Sequence, residues 1–198
     1  MAGRFWTDAS VEPKRQFRWI FEFAGLPQFL VTKVNKPSFD VGSIEHEFLD
    51  YKFNYPGKVT WNELQFTLVD PVQPDATRTF YEILRSSGYV LPDDFLAPAN
   101  LNPAPRTITK KKMVDQLGGQ IFLKQLGASA VDGSDSVVEE WEIWNPIITK
   151  VSNGDLDYSQ EGIINIDITM KYDWARLNNV PGGGSVFPYG PNGGTTLL

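Results

Sequence analysis

The chain has 198 residues, no cysteine, one histidine and a formal net charge of −6. No cysteine means no disulfide framework, no thiolate chemistry and, with a single histidine, no nitrogen/sulfur zinc site; the acidic balance opposes broad nucleic-acid affinity, which depends on neutralising phosphates. With 17 Gly, 14 Pro and 13% aromatic residues, the composition favours a turn-rich β fold over a helical bundle, in one domain with appendages.

Residues 1–16 read as a flexible arm without the apolar core of a signal peptide. No run of about 18 apolar residues follows anywhere, so no membrane insertion is expected. Phe17, Trp19, Phe21 and Phe23 then alternate with Arg18, Ile20 and Glu22, which predicts a strand. A turn at Gly25, Leu26 and Pro27 leads to a second strand over 29–34, and the two are expected to form a hairpin with a longer loop.

Residues 36–57 open with Pro37 and close with Pro56-Gly57. Inside, Leu49, Tyr51, Phe53 and Tyr55 alternate with Phe48, Asp50, Lys52 and Asn54, which predicts a hairpin-like excursion. A domain of this size has too little material to cover both faces of such an arm, and a partner subunit is the simple solution.

A strand is predicted over 59–69, with Leu64, Phe66 and Leu68 inward, broken by Asp70-Pro71. Pro74 suits a helix start, Ala76, Phe80, Ile83 and Leu84 form one helical face, and Gly88 suits the end. Residues 89–107 hold Pro92, Pro98, Pro103 and Pro105 and read as a long irregular loop. A short helix near 109–117 and a strand over 121–126 follow.

The stretch 137–174 holds two strand patterns. In the first, Val137, Glu139, Trp141 and Ile143 alternate with Val138, Glu140, Glu142 and Trp144, so acid and aromatic mix on both faces. Such a strand suits a surface covered by another subunit, or one lining a polar interior. In the second, Ile164, Ile166, Ile168, Met170 and Tyr172 share one face, a plain half-buried strand. After Arg176 the Gly/Pro-rich residues 177–198 read as a tail. The predicted order, strands with one main helix and a minor one, fits a mainly β fold: an antiparallel sandwich or partial barrel.

Little here suggests catalysis or metal binding. His46 lies between Glu45 and Glu47 with no Gly-x-Ser-x-Gly motif in the chain, so a nucleophilic triad is disfavoured. Asp132-Gly133-Ser134-Asp135 and Asp155-Leu156-Asp157 lack the spacing of a calcium loop. Gly182-Gly183-Gly184-Ser185 lacks the lysine of a phosphate-binding loop. No enzyme activity, metal or cofactor is expected.

The text EEWEIWNPIITKVSNGDLDYSQEGIINIDITMKYDWA resembles the C-terminal half of the tail-tube proteins of contractile-tailed bacteriophages. The residues that carry the likeness are Gly154, Leu156 and Tyr158 in a turn, then Tyr172, Asp173 and Trp174 at a strand end. A second block, KVTWNELQFTLVD, matches through Gly57, Trp61, Asn62 and Glu63, and the likeness covers most of residues 17–174. The resemblance implies a phage tail-tube-like fold over 17–176 and hexameric rings whose sheets join into one barrel. It further implies rings stacked into an inner tube that conducts DNA without specific binding.

The implied partners are the chain itself, the tail sheath protein, and the baseplate tube-initiator and tube-terminator proteins. The implied place is the virion tail, with host cytoplasm during assembly. The arm would contact the next ring through Phe48, Leu49, Tyr51, Phe53 and Tyr55.

Between Asp132 and Asp173, ten acids face two lysines. That surplus reads either as a solvated face or as an acidic inner wall to which DNA does not stick. The wall candidates are Glu139, Glu142, Asp155, Asp157 and Asp167. The basic run of Arg106, Lys110, Lys111 and Lys112 reads as a solvated helix face, or as a partner for a neighbour's acidic half.

The Pro-rich loop at 89–107 and the tail are longer than the minimal pattern, as in baseplate initiators and tube terminators of the same fold. Bacterial injection-system tubes share that fold too. A rival of another class is a monomeric carbohydrate-binding module stacking sugars on Trp6, Trp19, Trp61, Trp141, Trp144 and Trp174.

Overall fold

The computed structural model describes residues 14–23, 25–92, 107–129, 135–159 and 161–178. Most of the N-terminal arm with Trp6, most of the Pro-rich loop, and the tail from 179 with its Gly182 to Ser185 run lie outside the described residues. In chain order the elements are β1 (Trp19–Glu22), β2 (Val31–Val34), β3 (Phe39–Phe48), β4 (Tyr51–Trp61), β5 (Leu64–Val69), α1 (Ala76–Ser86), α2 (Lys110–Gln116), β6 (Gln120–Ser129), β7 (Asp135–Trp144), β8 (Ile147–Asn153), β9 (Asn165–Lys171) and β10 (Trp174–Asn178).

Two four-stranded sheets, ordered β1-β6-β7-β10 and β2-β5-β9-β8, face each other, while β3 and β4 pair with one another as a separate ribbon. All pairings are antiparallel. Period-two patterning explains the core. Leu64, Phe66 and Leu68 of β5 and Ile166, Ile168 and Met170 of β9 point in, whereas Gln65, Asn165, Asp167 and Lys171 point out. From the opposite sheet come Phe21, Ile121, Leu123 and Ile143. The two layers meet at Phe21 and Phe66, with ring centres 5.1 Å apart.

The helices close one side. Asp75 caps α1 by accepting the Arg78 backbone N–H at 2.8 Å, so Pro74 precedes the cap instead of sitting in the first turn. Ala76, Phe80 and Ile83 are the buried stripe of α1, and Thr109 caps α2. Gly88 sits at φ +118, and a Cβ there would meet the Thr107 carbonyl oxygen at 2.6 Å, so no other residue fits where the chain passes that close.

The sandwich agrees with the predicted class, but some pairings differ. β1 and β2 form no hairpin: β1 pairs with β6 and β2 with β5, in different sheets. Between them Gly25 at φ +71 and a 3-10 turn at Gln28–Leu30 carry the chain across the sandwich. The two strand patterns of 137–174 likewise lie in opposite sheets. Between them runs β8, whose alternation is blurred by a bulge at Ile148/Lys150, and after them β10; neither was predicted. The strand predicted over 59–69 is broken at Asn62 and Glu63 into the end of β4 and all of β5. Finally, β7 does have a core face: Ile143, Trp141 and Glu139 point inward, with the acid at the open end.

Candidate functional site

The arm is built from its root outward. Asn35 clamps the root: its backbone N–H donates to the Gln65 carbonyl at 3.0 Å and its side chain donates to the Glu63 carbonyl at 3.2 Å. Across the ribbon the Asn62 N–H donates to the Ser38 carbonyl at 2.9 Å. Phe39 packs edge-on against Trp61, which leans on Tyr172 of the core, so three aromatic rings link arm and body.

Beyond the root no described residue covers the ribbon. Ile44, Phe48, Leu49, Tyr51, Phe53 and Tyr55 are 48% to 82% exposed. Register assigns the faces. Phe48, His46 and Ile44 stand opposite Tyr51, Phe53 and Tyr55, whereas Glu47 and Glu45 stand opposite Lys52 and Asn54. Lys52 bridges Glu45 at 2.8 Å and Glu47 at 2.9 Å on that second face.

Phe48 therefore shares a face with Tyr51, contrary to simple alternation. The two-residue turn at Leu49 and Asp50, with Leu49 at φ +54, resets the parity. A bulge places Gly42 against Gly57 and Lys58, so the apolar side of the root, Phe39 and Val41, continues as the charged side of the tip. A Cβ on Gly57 would lie 3.0 Å from the Gly42 backbone, which explains the glycine.

Beneath the root sits a part-buried ion cluster centred on Glu139, which the sequence reading places on a channel wall. Glu139 is 7% exposed. It accepts from Lys14, from Lys36 at 2.8 Å and from the Trp141 indole at 2.6 Å, and Lys36 also reaches Gln125 at 2.5 Å. A cavity of about 530 Å3 opens beside it, lined by Trp19, Val34, Leu123 and Trp141. Burial pushes the Glu139 pKa up, but the bonds from Lys14, Lys36 and Trp141 outweigh it and hold it at about 2, against an ordinary 4.5.

A depressed carboxylate stabilises the fold above its unfolded pKa, and that contribution is lost as pH falls from about 4.5 through about 2. Both lysines are half exposed, which holds the contribution to about 2 kcal/mol or less. Glu139→Gln should lower urea stability at neutral pH, and its difference from the parent should shrink as the solution is acidified. A difference that stays constant with pH would refute this.

The five wall candidates do not gather on one surface. Glu139 faces the core side of its sheet. Glu142 stands on the outer face of the same sheet, where Asn178 donates to it at 3.2 Å and Arg176 is its strand partner. Asp167 is on the outer face of the other sheet and accepts from Thr67 at 2.6 Å. Asp155 and Asp157 lie exposed in the β8–β9 loop, where the Ser159 N–H and hydroxyl hold the Asp157 pKa low. Other acids of the surplus are also paired: Asp173 with Lys110 at 2.6 Å, and Glu140 with Lys124 at 3.9 Å.

No family model matches the sequence, and no curated protein matches it. Solved structures do match in shape. A chain of the anti-feeding prophage tube-terminating cap is 17% identical over 87% of this chain and 96% of its own, with a TM-score of 0.60. A chain of the PVC sheath–tube complex, from an extracellular contractile injection system, is 15% identical over 90% of this chain and 100% of its own, at 0.58. A chain of the anti-feeding prophage baseplate gives 13%, 86%, 99% and 0.57 on the same measures.

This chain has the tail-tube fold. In tail-tube terms the two open sheets are the body, and β3–β4 is an arm that leaves the body between the second and fifth strands. Sequence reasoning found the arm and its aromatic residues. It missed the Glu139 cluster, because no local pattern shows that Lys14 and Lys36 come together on an acid over 100 residues away.

Proposed function

We propose that this chain is a structural protein of a contractile injection machine, such as a phage tail: sixfold rings of it stack into the inner tube. The observation that carries the reading is the arm. Its two strands pair only with each other, which leaves both outer edges open, and no described residue covers its aromatic face. Such a face on a tail-tube body calls for another subunit. The open edges of both sheets add to this, since joining them around a ring removes exposed strand edges. The implied partners are other copies, a sheath protein outside, and the initiator and terminator at the ends. A tube-terminating cap is a second reading, favoured by the likeness to the prophage cap.

For the channel wall we favour the outer face of β5 and β9. Gln65, Thr67, Asn165, Asp167 and Thr169 make it polar without aromatics, and on β8 Lys150 stands beside Thr169 and Ser152 beside Asp167. This narrows the acidic wall to a polar, nearly balanced one, through which DNA would slide without a run of phosphate contacts.

Negative-stain microscopy of the purified chain tests the reading. Sixfold rings, and tubes at high concentration, are expected; a cap would give rings alone. DNA binding by the assembled form should be weak and insensitive to salt. A protein that stays monomeric at high concentration sinks the proposal, and tight salt-sensitive DNA binding sinks the wall assignment.

A further inference from the structure

We propose that the arm of one copy seats on the opposite end of a second copy, on the apolar loops around Leu156, Tyr158 and Ile163. The inference rests on the stacking reading above and names the surface that receives the arm.

Strand register sets the geometry. Both connections to the arm leave the second sheet at one end, where Val34 pairs with Phe66 and Leu64 pairs with Met170. At the other end Val69 pairs with Asn165 and Asn153 pairs with Ile166. From there emerge the β8–β9 loop and the connection from β5 to α1, joined by the Asp70 N–H donating to the Ile164 carbonyl at 3.0 Å. At that end Phe29, Val72, Leu156, Tyr158 and Ile163 are all at least 74% exposed. Most large exposed apolar side chains among the described residues belong to this end or to the arm. The sheet surface between the two ends is polar.

The loop is shaped to present these side chains. Gly154 passes so close to β9 that a Cβ would meet the Asn165 carbonyl at 2.9 Å. Asp157 accepts the Ser159 N–H at 2.9 Å and its hydroxyl at 2.7 Å, closing a turn with Leu156 and Tyr158 on the outside. Gly154, Leu156 and Tyr158 are also residues that carry the sequence likeness.

Two different patches at opposite ends make a heterologous contact, which repeats along an axis without closing. An arm packed on an arm would close after two rings. The reach also suits: the ten residues of β3 extend roughly 30 Å, against roughly 20 Å for the six residues of β5. Charge does not drive the contact, since Glu45, Glu47 and Asp50 lie near the tip and Asp155, Asp157 and Glu161 lie in the loop. The apolar faces must carry it, with the acids turned outward, and added salt should favour it by screening them.

Two full-length variants test this: Tyr51→Ser/Phe53→Ser in the arm and Leu156→Ser/Tyr158→Ser in the loop. Each alone should give rings but no tubes under the microscope. Mixed in equal amounts they should give stacks of two rings and nothing longer. Intact arms on loop-variant rings meet intact loops on arm-variant rings, and both outer ends are then dead. If the loop variant alone grows tubes of ordinary length while the arm variant does not, the receiving surface is elsewhere and the stacking reading stands. A mixture of single rings also overturns the proposal, and a parent that never stacks removes it together with the reading beneath it.

Because the chain has no cysteine, Leu49→Cys/Tyr158→Cys gives an independent measure. A short bis-maleimide should link this protein into a covalent ladder. Pairs formed equally well by the Leu49→Cys protein alone would mean arm against arm and would overturn the proposal.

Discussion

Replacing Tyr51 and Phe53 together with Ser should leave the subunit folded and abolish tube growth. Both residues stand on the open face of the arm, with Phe53 48% and Tyr51 68% exposed. Within one subunit they lose only cross-strand neighbours, Phe48 and His46, worth roughly 0.2–1 kcal/mol each. Between rings the loss is larger. Covering two such aromatics buries of the order of 200 Å2 beyond what the free subunit hides, or roughly 5 kcal/mol per contact at ~25 cal/mol per Å2. A ring repeats that contact in every subunit, so stacking should fail outright instead of weakening slightly. Circular dichroism and microscopy on the same sample decide the matter. If the variant still makes ordinary tubes, the arm is not the stacking element. If it unfolds the subunit, the arm belongs to the subunit's own core.

The arm also shows what was legible in the sequence and what was not. Alternating aromatics between Pro37 and Pro56 announced a ribbon that its own domain leaves uncovered, and β3–β4 is that ribbon. The faces were misassigned at Phe48, because alternation counts straight through a turn whereas a two-residue turn flips the parity. The same limit explains the strand pairings. Period two tells a strand which of its faces is buried, as in β5 and β9, but not which strand lies beside it. Hence β1 and β2, adjacent in sequence, were joined into a hairpin that the fold does not contain. Glu139 illustrates the matching limit for charge. A run of acids reads as a negative surface until the cations from distant segments are known, and here Lys14, Lys36, Lys110 and Lys124 all come from other elements. The exposed loop was half legible: Leu156 and Tyr158 stood out by resemblance, yet their exposure depends on the turn that Asp157 closes.

Ile163 and Ile168 put the division between core and contact surface to a direct test. They lie five residues apart, one 74% exposed beside the β8–β9 loop and the other 1% exposed in the middle of β9. Ile168 pairs with Phe66 and Val151 at the centre of the second sheet. Truncating it leaves a cavity that close packing has little room to fill. Ile168→Ala should therefore cost about 2–5 kcal/mol in urea unfolding. Ile163→Ala removes the same atoms from water-facing surface and should change subunit stability by no more than about 0.5 kcal/mol. The order reverses for assembly: at a concentration where both variants are folded, Ile163→Ala should weaken stacking, because its side chain belongs to the surface proposed to receive the arm. Ile168→Ala should stack like the parent once folded. Equal stability losses in the two variants would mean that the loop packs on its own subunit. Normal tubes from Ile163→Ala would leave the stability contrast intact and would remove Ile163 from the receiving surface.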